Sequence, residues 1–78
     1  MGRLSNISGR KAVKIFSNVG YYLERQEGSH MILYNERPGL PILVILDHKK
    51  EVAPALLRTQ IKRAGLSVEE FLKLKTKK

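Results

Sequence analysis

The segment Arg25-Gln26-Glu27-Gly28-Ser29-His30 holds the residues of this chain that are best placed for chemistry. His30 is one of only two histidines, and it is a candidate acid/base group because an imidazole exchanges its proton near neutral pH. Gly28 tolerates the positive φ that a short hairpin loop often needs, so the segment predicts a tight turn between two strands. Ser29 and His30 are then held on a rigid hairpin. The alternative is that His30 has a purely structural role, which is common for an isolated histidine in a strand. Evidence from the rest of the chain is needed to favour a catalytic role.

Several other kinds of chemistry have no support in the sequence. The chain contains no cysteine, which excludes a disulfide, a thiolate nucleophile and a cysteine metal site. The two histidines and the scattered carboxylates show no metal-ligand spacing, so we expect no metal and no cofactor. There is neither a glycine-rich phosphate loop nor a recognisable Ser-His-Asp set.

The charge of the chain points to a polyanionic partner. Fifteen Lys and Arg residues stand against seven Asp and Glu in 78 residues, which gives a net charge of +8. Four lysines of a basic tail over residues 73–78 account for part of this excess and are expected to be solvated, but +4 remains without them. A nucleic acid, an acidic protein and an anionic membrane surface all fit such a charge. No apolar run approaches the ~20 residues that span a bilayer, so we predict no membrane segment.

The chemistry-bearing segment must be positioned by a small number of elements. Residues 9–19 form a predicted helix with Ser8 as its N-cap and Gly20 at its end. Residues 21–27, 30–35 and 42–46 are predicted strands, because they are rich in β-branched and aromatic residues and are bounded by turn residues. Residues 47–51 are polar and expected to be exposed. A second helix starts at Pro54 and ends before Gly65, and a short third helix starts at Ser67, which forms a capping box with Glu70.

These elements predict an α+β fold of order α-β-β-β-α with a short C-terminal helix. The short connections favour a three-stranded antiparallel sheet, and both long helices should cover one of its faces because neither can bury its apolar stripe alone. The other face stays open for a ligand. If Met31 and Leu33 face the core, His30 and Tyr34 lie on the open face. If the third strand lies at a sheet edge, its backbone is open to pairing with another chain.

The sequence also resembles a known family, over roughly residues 8–74. The segments that carry the resemblance are Ser8-Gly9-Arg10, Val19-Gly20-Tyr21, Leu23, Arg25-Gln26, Gly28-Ser29-His30, Val52, Pro54, Leu57-Arg58, Ile61, Ala64-Gly65-Leu66-Ser67 and Phe71-Leu72. Together they resemble the HicA family of bacterial toxins. We therefore expect one HicA-like domain over residues 1–78, with flexible residues 1–7 and the basic tail 73–78.

The resemblance implies a fold like that of the double-stranded-RNA-binding domain. It also implies that the protein is a metal-independent endoribonuclease that cuts messenger RNA in the cytoplasm and is neutralised by a HicB-type antitoxin covering the active site. The catalytic histidine of the family corresponds to His30. His48 follows the third strand, where many members carry a histidine, and it is a candidate second acid/base group beside Tyr34 or a water.

RNA cleavage without a metal asks for an acid, a base and positive charge near the phosphoryl oxygens. Ser29 either orients the phosphate or only makes the turn. The basic residues that we expect to bind RNA are, in order of preference, Arg25, then Lys49 and Lys50, then Arg10 and Lys11.

Three features depart from the family pattern and bear on substrate affinity and on the level of activity. Met31 follows His30 where a second histidine is frequent, Glu27 stands where a basic residue is common, and the run from Leu40 to Leu46 is unusually apolar. The alternatives are a non-catalytic double-stranded-RNA-binding module and a degenerate toxin that retains only antitoxin binding. A binding module needs no Gly-Ser-His on its first hairpin, which favours the enzyme.

Overall fold

The computed structural model describes residues 4–75 and has the predicted α+β architecture. Its elements are α1 (Gly9–Ser17), β1 (Tyr21–Glu27), β2 (His30–Asn35), β3 (Leu43–Leu46), α2 (Pro54–Arg63) and α3 (Val68–Lys75). The strands form one antiparallel sheet in the order β1-β2-β3. The fold is therefore of the double-stranded-RNA-binding-domain type with a short C-terminal helix. Residues 1–3 and 76–78, parts of the predicted flexible end and basic tail, lie outside the described residues.

Local sequence signals account for where the helices begin and end. The Ser8 hydroxyl accepts the backbone N–H of Lys11 at 3.1 Å, as expected of an N-cap. Helix α1 ends at Ser17, two residues before the predicted boundary, because the chain already turns toward Gly20, whose φ is 96°. Ser67 and Glu70 form both hydrogen bonds of the predicted capping box, at 2.8 and 3.0 Å.

A β-bulge in β1 decides which residues share the open face of the sheet. Leu23 pairs with Leu33, but the next paired residue is Arg25, which stands opposite Ile32. Glu24 is the extra residue of the bulge, and strict alternation would have left Arg25 on the same face as Leu23. With the bulge, Arg25 lies on the face that carries Ile32.

The core lies between the other face of the sheet and the three helices. Met31 and Leu33 are buried, so the expectation that His30 and Tyr34 lie on the open face is confirmed. The buried side chains of the helices and the sheet form one cluster, in which the rings of Phe16 and Phe71 lie 4.9 Å apart. Residues 4–7 form no helix or strand, yet Leu4 and Ile7 belong to the same cluster.

Strand β3 lies at a sheet edge, but helix α2 closes part of that edge. The backbone N–H of Val44 donates to Oε1 of Gln60 at 3.0 Å, and Arg63 donates to the carbonyl of Ile42 at 2.9 Å. These side chains occupy backbone groups that a pairing strand would need, so the edge is less open to another chain than the sequence predicts. None of the helices in residues 4–75 is long and apolar enough to cross a membrane.

Candidate active site

His30 is held at the start of the central strand, on the open face of the sheet. It pairs with Glu27 across the first hairpin and with Leu46 on the other side, so its backbone is fixed by both neighbouring strands. The hairpin turns at Gly28, whose φ is 61°, and the carbonyl of Ser29 accepts the N–H of Asp47 at 2.7 Å. The His30 side chain is exposed. The imidazole therefore has a rigid base and is accessible from solvent, as an acid/base group acting on a large substrate must be.

Arg25 lies near His30 but is already engaged by two carboxylates. Its Nε donates to Glu27 at 2.7 Å and its NH1 donates to Glu24 at 2.8 Å, with about half of the Arg25 side chain exposed. Hydrogen bonds to Glu27, then to Tyr34 and Glu24, raise the pKa of Arg25, so its charge is permanent. The positive charge expected at this position is thus present but largely offset by its neighbours. A phosphate must compete with these carboxylates to bind Arg25.

Asp47 connects helix α1, the first hairpin and the end of β3. Its Oδ2 accepts from Gln26 at 3.0 Å and from Arg10 at 3.3 Å. The hydrogen bond from Gln26 is the main reason that the pKa of Asp47 lies below its usual value; burial opposes this shift, and Arg10 supports it. The side chain of Asp47 is only 15% exposed, which corrects the expectation of an exposed residue. Oδ1 is buried and has no hydrogen-bond partner among the described residues.

The remaining predicted site residues form two groups. Ser29 lies in the turn that precedes His30, and the exposed residues His48, Lys49 and Lys50 follow the strand end that pairs with it. The structure thus brings these residues toward the His30 end of the sheet. Arg10 is joined to the same region through Asp47.

Lys11 belongs to a different surface. Together with Arg10, it lines a groove of about 580 Å³ between α1 and α3, to which Lys14 and Lys75 also contribute. This groove is basic, but it lies on the helical side of the molecule. The sequence did not predict it, because the two helices that form it are more than fifty residues apart in the chain.

The sequence proposed Tyr34 as one candidate for the second acid/base group, beside His48 and a water. Tyr34 shares the open face with His30 and lies four residues further along the same strand. At about 3.3 Å per residue, the two backbones are roughly 13 Å apart. All three candidates stay open. Among residues 4–75, no group of three His, Cys, Asp or Glu side chains is arranged to hold a metal ion.

A pocket next to His30 was not foreseen from the sequence. It has a volume of about 250 Å³ and lies between the end of β3 and the first half of α2. Its walls are mainly apolar, formed by Val44, Leu46 and Leu56 among others, and the amide of Gln60 is part of its lining. Val44 and Leu56 are 41% and 49% exposed, so the pocket opens to solvent.

Comparison with known proteins assigns most of this architecture to one family. The model of the family described as "HicA toxin of bacterial toxin-antitoxin" matches residues 9–66, which is more than half of the chain. The matched region extends from the first residue of α1 to just beyond α2 and includes His30 and Asp47. Searches of the curated proteins and of the solved structures gave no match.

Proposed function

Because this chain belongs to the HicA family of bacterial toxins, we propose that it is a metal-independent endoribonuclease that cleaves messenger RNA. The observation that carries the proposal is the position of His30, which is exposed on a rigid strand at the open face of the sheet. A histidine held there is accessible to an RNA strand lying on that face. The proposed substrate places the activity in the cytoplasm.

The proposed reaction is an internal transesterification at one phosphodiester. The 2′-hydroxyl attacks the adjacent phosphorus, the bond from phosphorus to the 5′-oxygen breaks, and the products are a 2′,3′-cyclic phosphate and a free 5′-hydroxyl. A neutral His30 acts as the base that accepts the 2′-hydroxyl proton, or a protonated His30 acts as the acid that donates to the leaving 5′-oxygen. Either role is worth about 10²–10⁴-fold in rate. His48, Tyr34 or a water supplies the other role.

The basic residues near His30 are proposed to hold the RNA backbone. Lys49 and Lys50 are exposed in the loop after β3, and the Ser29 hydroxyl is one residue from His30. Arg10, which Asp47 joins to this region, extends the contact toward α1, whereas Lys11 lines the groove between α1 and α3 and is not proposed to contact RNA on the open face. Arg25 contributes only where a phosphate displaces a carboxylate, because Glu27 and Glu24 already neutralise it. Asp47 is proposed to position Arg10 and the hairpin rather than to touch the substrate.

The toxin family implies an antitoxin partner, and we propose a HicB-type protein that covers the open face of the sheet. Tyr22 and Val44 are large side chains on that face, 45% and 41% exposed, and they offer apolar contact area around His30. A gene for a small HicB-like protein next to the gene for this chain is the expected genomic arrangement. The purified pair should form a stable complex with no ribonuclease activity.

The proposed chemistry is tested with an RNA that carries a single 2′-deoxynucleotide at the mapped cleavage position. Cleavage should stop at that bond alone, and the products of the unmodified RNA should carry cyclic phosphate ends. His30→Gln should abolish cleavage while RNA binding is retained. His48→Gln tests separately whether His48 supplies the other role. Binding of double-stranded RNA without any cleavage by the unmodified protein would instead indicate the binding module.

A further inference from the structure

Gln60 lines the pocket beside His30, and the orientation of its amide is defined. The backbone N–H of Val44 donates to the amide oxygen of Gln60 at 3.0 Å, which fixes which end of the amide is the oxygen. This bond engages the oxygen, so Nε2 is the group that Gln60 can best offer to a ligand. An apolar pocket with one oriented polar group is typical of a small-molecule or base-sized ligand.

The same hydrogen bond argues against a peptide strand as the ligand. A strand that paired with β3 would need the N–H of Val44 and the carbonyl of Ile42, and both are occupied by side chains of α2. The net charge of +8 favours a nucleic acid instead. Single-stranded RNA is recognised largely through splayed bases that enter apolar sites and hydrogen-bond along their edges.

We propose that this pocket binds the nucleobase next to the scissile phosphate, and that Gln60 Nε2 donates to an acceptor on the edge of that base. All four bases carry such an acceptor, which is a carbonyl oxygen in guanine, cytosine and uracil and a ring nitrogen in adenine. Uracil differs from adenine in having carbonyl oxygens and no amino group. The inference rests on the proposed ribonuclease function, because His30 lines the same pocket. A phosphate on which His30 acts would then lie at the pocket entrance. Val44, Leu46 and Leu56 enclose the base and contribute affinity without regard to its identity.

The test compares RNAs that differ only in carrying uracil or adenine on either side of one cleavage position. Gln60→Glu still accepts from the N–H of Val44 but has no donor for a carbonyl oxygen, and its carboxylate accepts from an amino group. The ratio of kcat/KM for uracil to that for adenine should therefore fall by about 3–10-fold in this variant, the range expected for one hydrogen bond. Thr59→Glu adds the same charge at the next residue of α2, outside the pocket lining, and should keep the original order of bases.

A second measurement separates failure of this inference from failure of the proposed function. Non-cleavable 2′-O-methyl trinucleotides are titrated into the unmodified protein and into both variants, with folding checked by circular dichroism. A fall in the affinity ratio of uracil to adenine in Gln60→Glu, but not in Thr59→Glu, supports the pocket even where no RNA is cleaved. Leu56→Ala should weaken all the trinucleotides equally and keep their order. Equal ratios in Gln60→Glu and Thr59→Glu, in both cleavage and binding, would overturn the inference and leave the ribonuclease intact.

Discussion

Substitution of Gly9 by alanine tests how helix α1 is seated against the end of β3. Gly9 is the first residue of α1, it is buried, and its N–H donates to the carbonyl of His48 at 2.9 Å. A Cβ at this position would overlap the carbonyl oxygen of Leu46 and lie 2.9 Å from the Cα of Asp47. Both neighbours are backbone atoms, so neither can swing aside as a side chain would. The start of α1 must therefore move away from the strand.

The expected change in the free energy of unfolding is the sum of two destabilising contributions and one stabilising contribution. Forcing extra volume into a packed contact costs about 1–3 kcal/mol. Losing the hydrogen bond to His48 costs about 0.5–1.5 kcal/mol. Alanine is the better helix former by up to about 1 kcal/mol, which offsets part of this cost. The expected net destabilisation is about 1–3 kcal/mol, and 2 kcal/mol corresponds to a fall in Tm of about 8–16 °C for a domain of this size.

Thermal and urea denaturation, followed by circular dichroism, measure this loss directly. Lys11→Ala is the matched control, because Lys11 is exposed in the same helix and its substitution should change stability by no more than about 0.5 kcal/mol. Gly9 does not have a positive φ, so backbone strain cannot account for a loss. A Gly9→Ala protein as stable as the unmodified one would refute the close contact between α1 and β3.

Three further predictions concern charge and capping. Glu27→Gln should free Arg25 for a phosphate, so RNA affinity should rise and the slope of log K against log salt should steepen by about 0.7. Filter binding at several salt concentrations measures this slope, and an unchanged slope would contradict the engagement of Arg25 by Glu27. Because the pKa of Asp47 is lowered in the folded state, its carboxylate stabilises the fold at pH values above the pKa of Asp47 in the unfolded chain, and this stabilisation is lost as pH falls through the folded-state pKa. The Tm difference between the unmodified protein and Asp47→Asn should therefore shrink below about pH 4. A Tm difference that stays constant across this range would contradict the hydrogen bond from Gln26. Ser67→Ala should cost about 1 kcal/mol in urea denaturation, and no loss would contradict the capping box.

The elements were predictable because short-range signals specify them. The cap at Ser8, the capping box at Ser67, the turn at Gly28 and the alternation in β2 each depend on a few neighbouring residues. The fold follows from these elements because neither long helix can bury its apolar stripe except against the sheet or another helix. The position of His30 directly after a tight turn was predictable because that turn is local, whereas its catalytic role stays a prediction.

The missing parts of the site depend on contacts between distant segments. Asp47 binds Arg10, 37 positions away, and Gln26, 21 positions away, and no periodicity in the sequence signals either contact. Gln60 reaches Val44 only because α2 packs beside the sheet edge. The alternation of polar and apolar residues also cannot reveal a bulge, so the face on which Arg25 lies required the observed register.

His30 is proposed to perform metal-free RNA cleavage on the open face of the sheet. The most direct measurement is cleavage of a defined single-stranded RNA in EDTA by the unmodified protein, by His30→Ala and by His48→Ala, each shown to be folded. We expect cleavage by the unmodified protein and loss of about 10²-fold or more in His30→Ala. Equal cleavage by the unmodified protein and His30→Ala, with both folded, would contradict it.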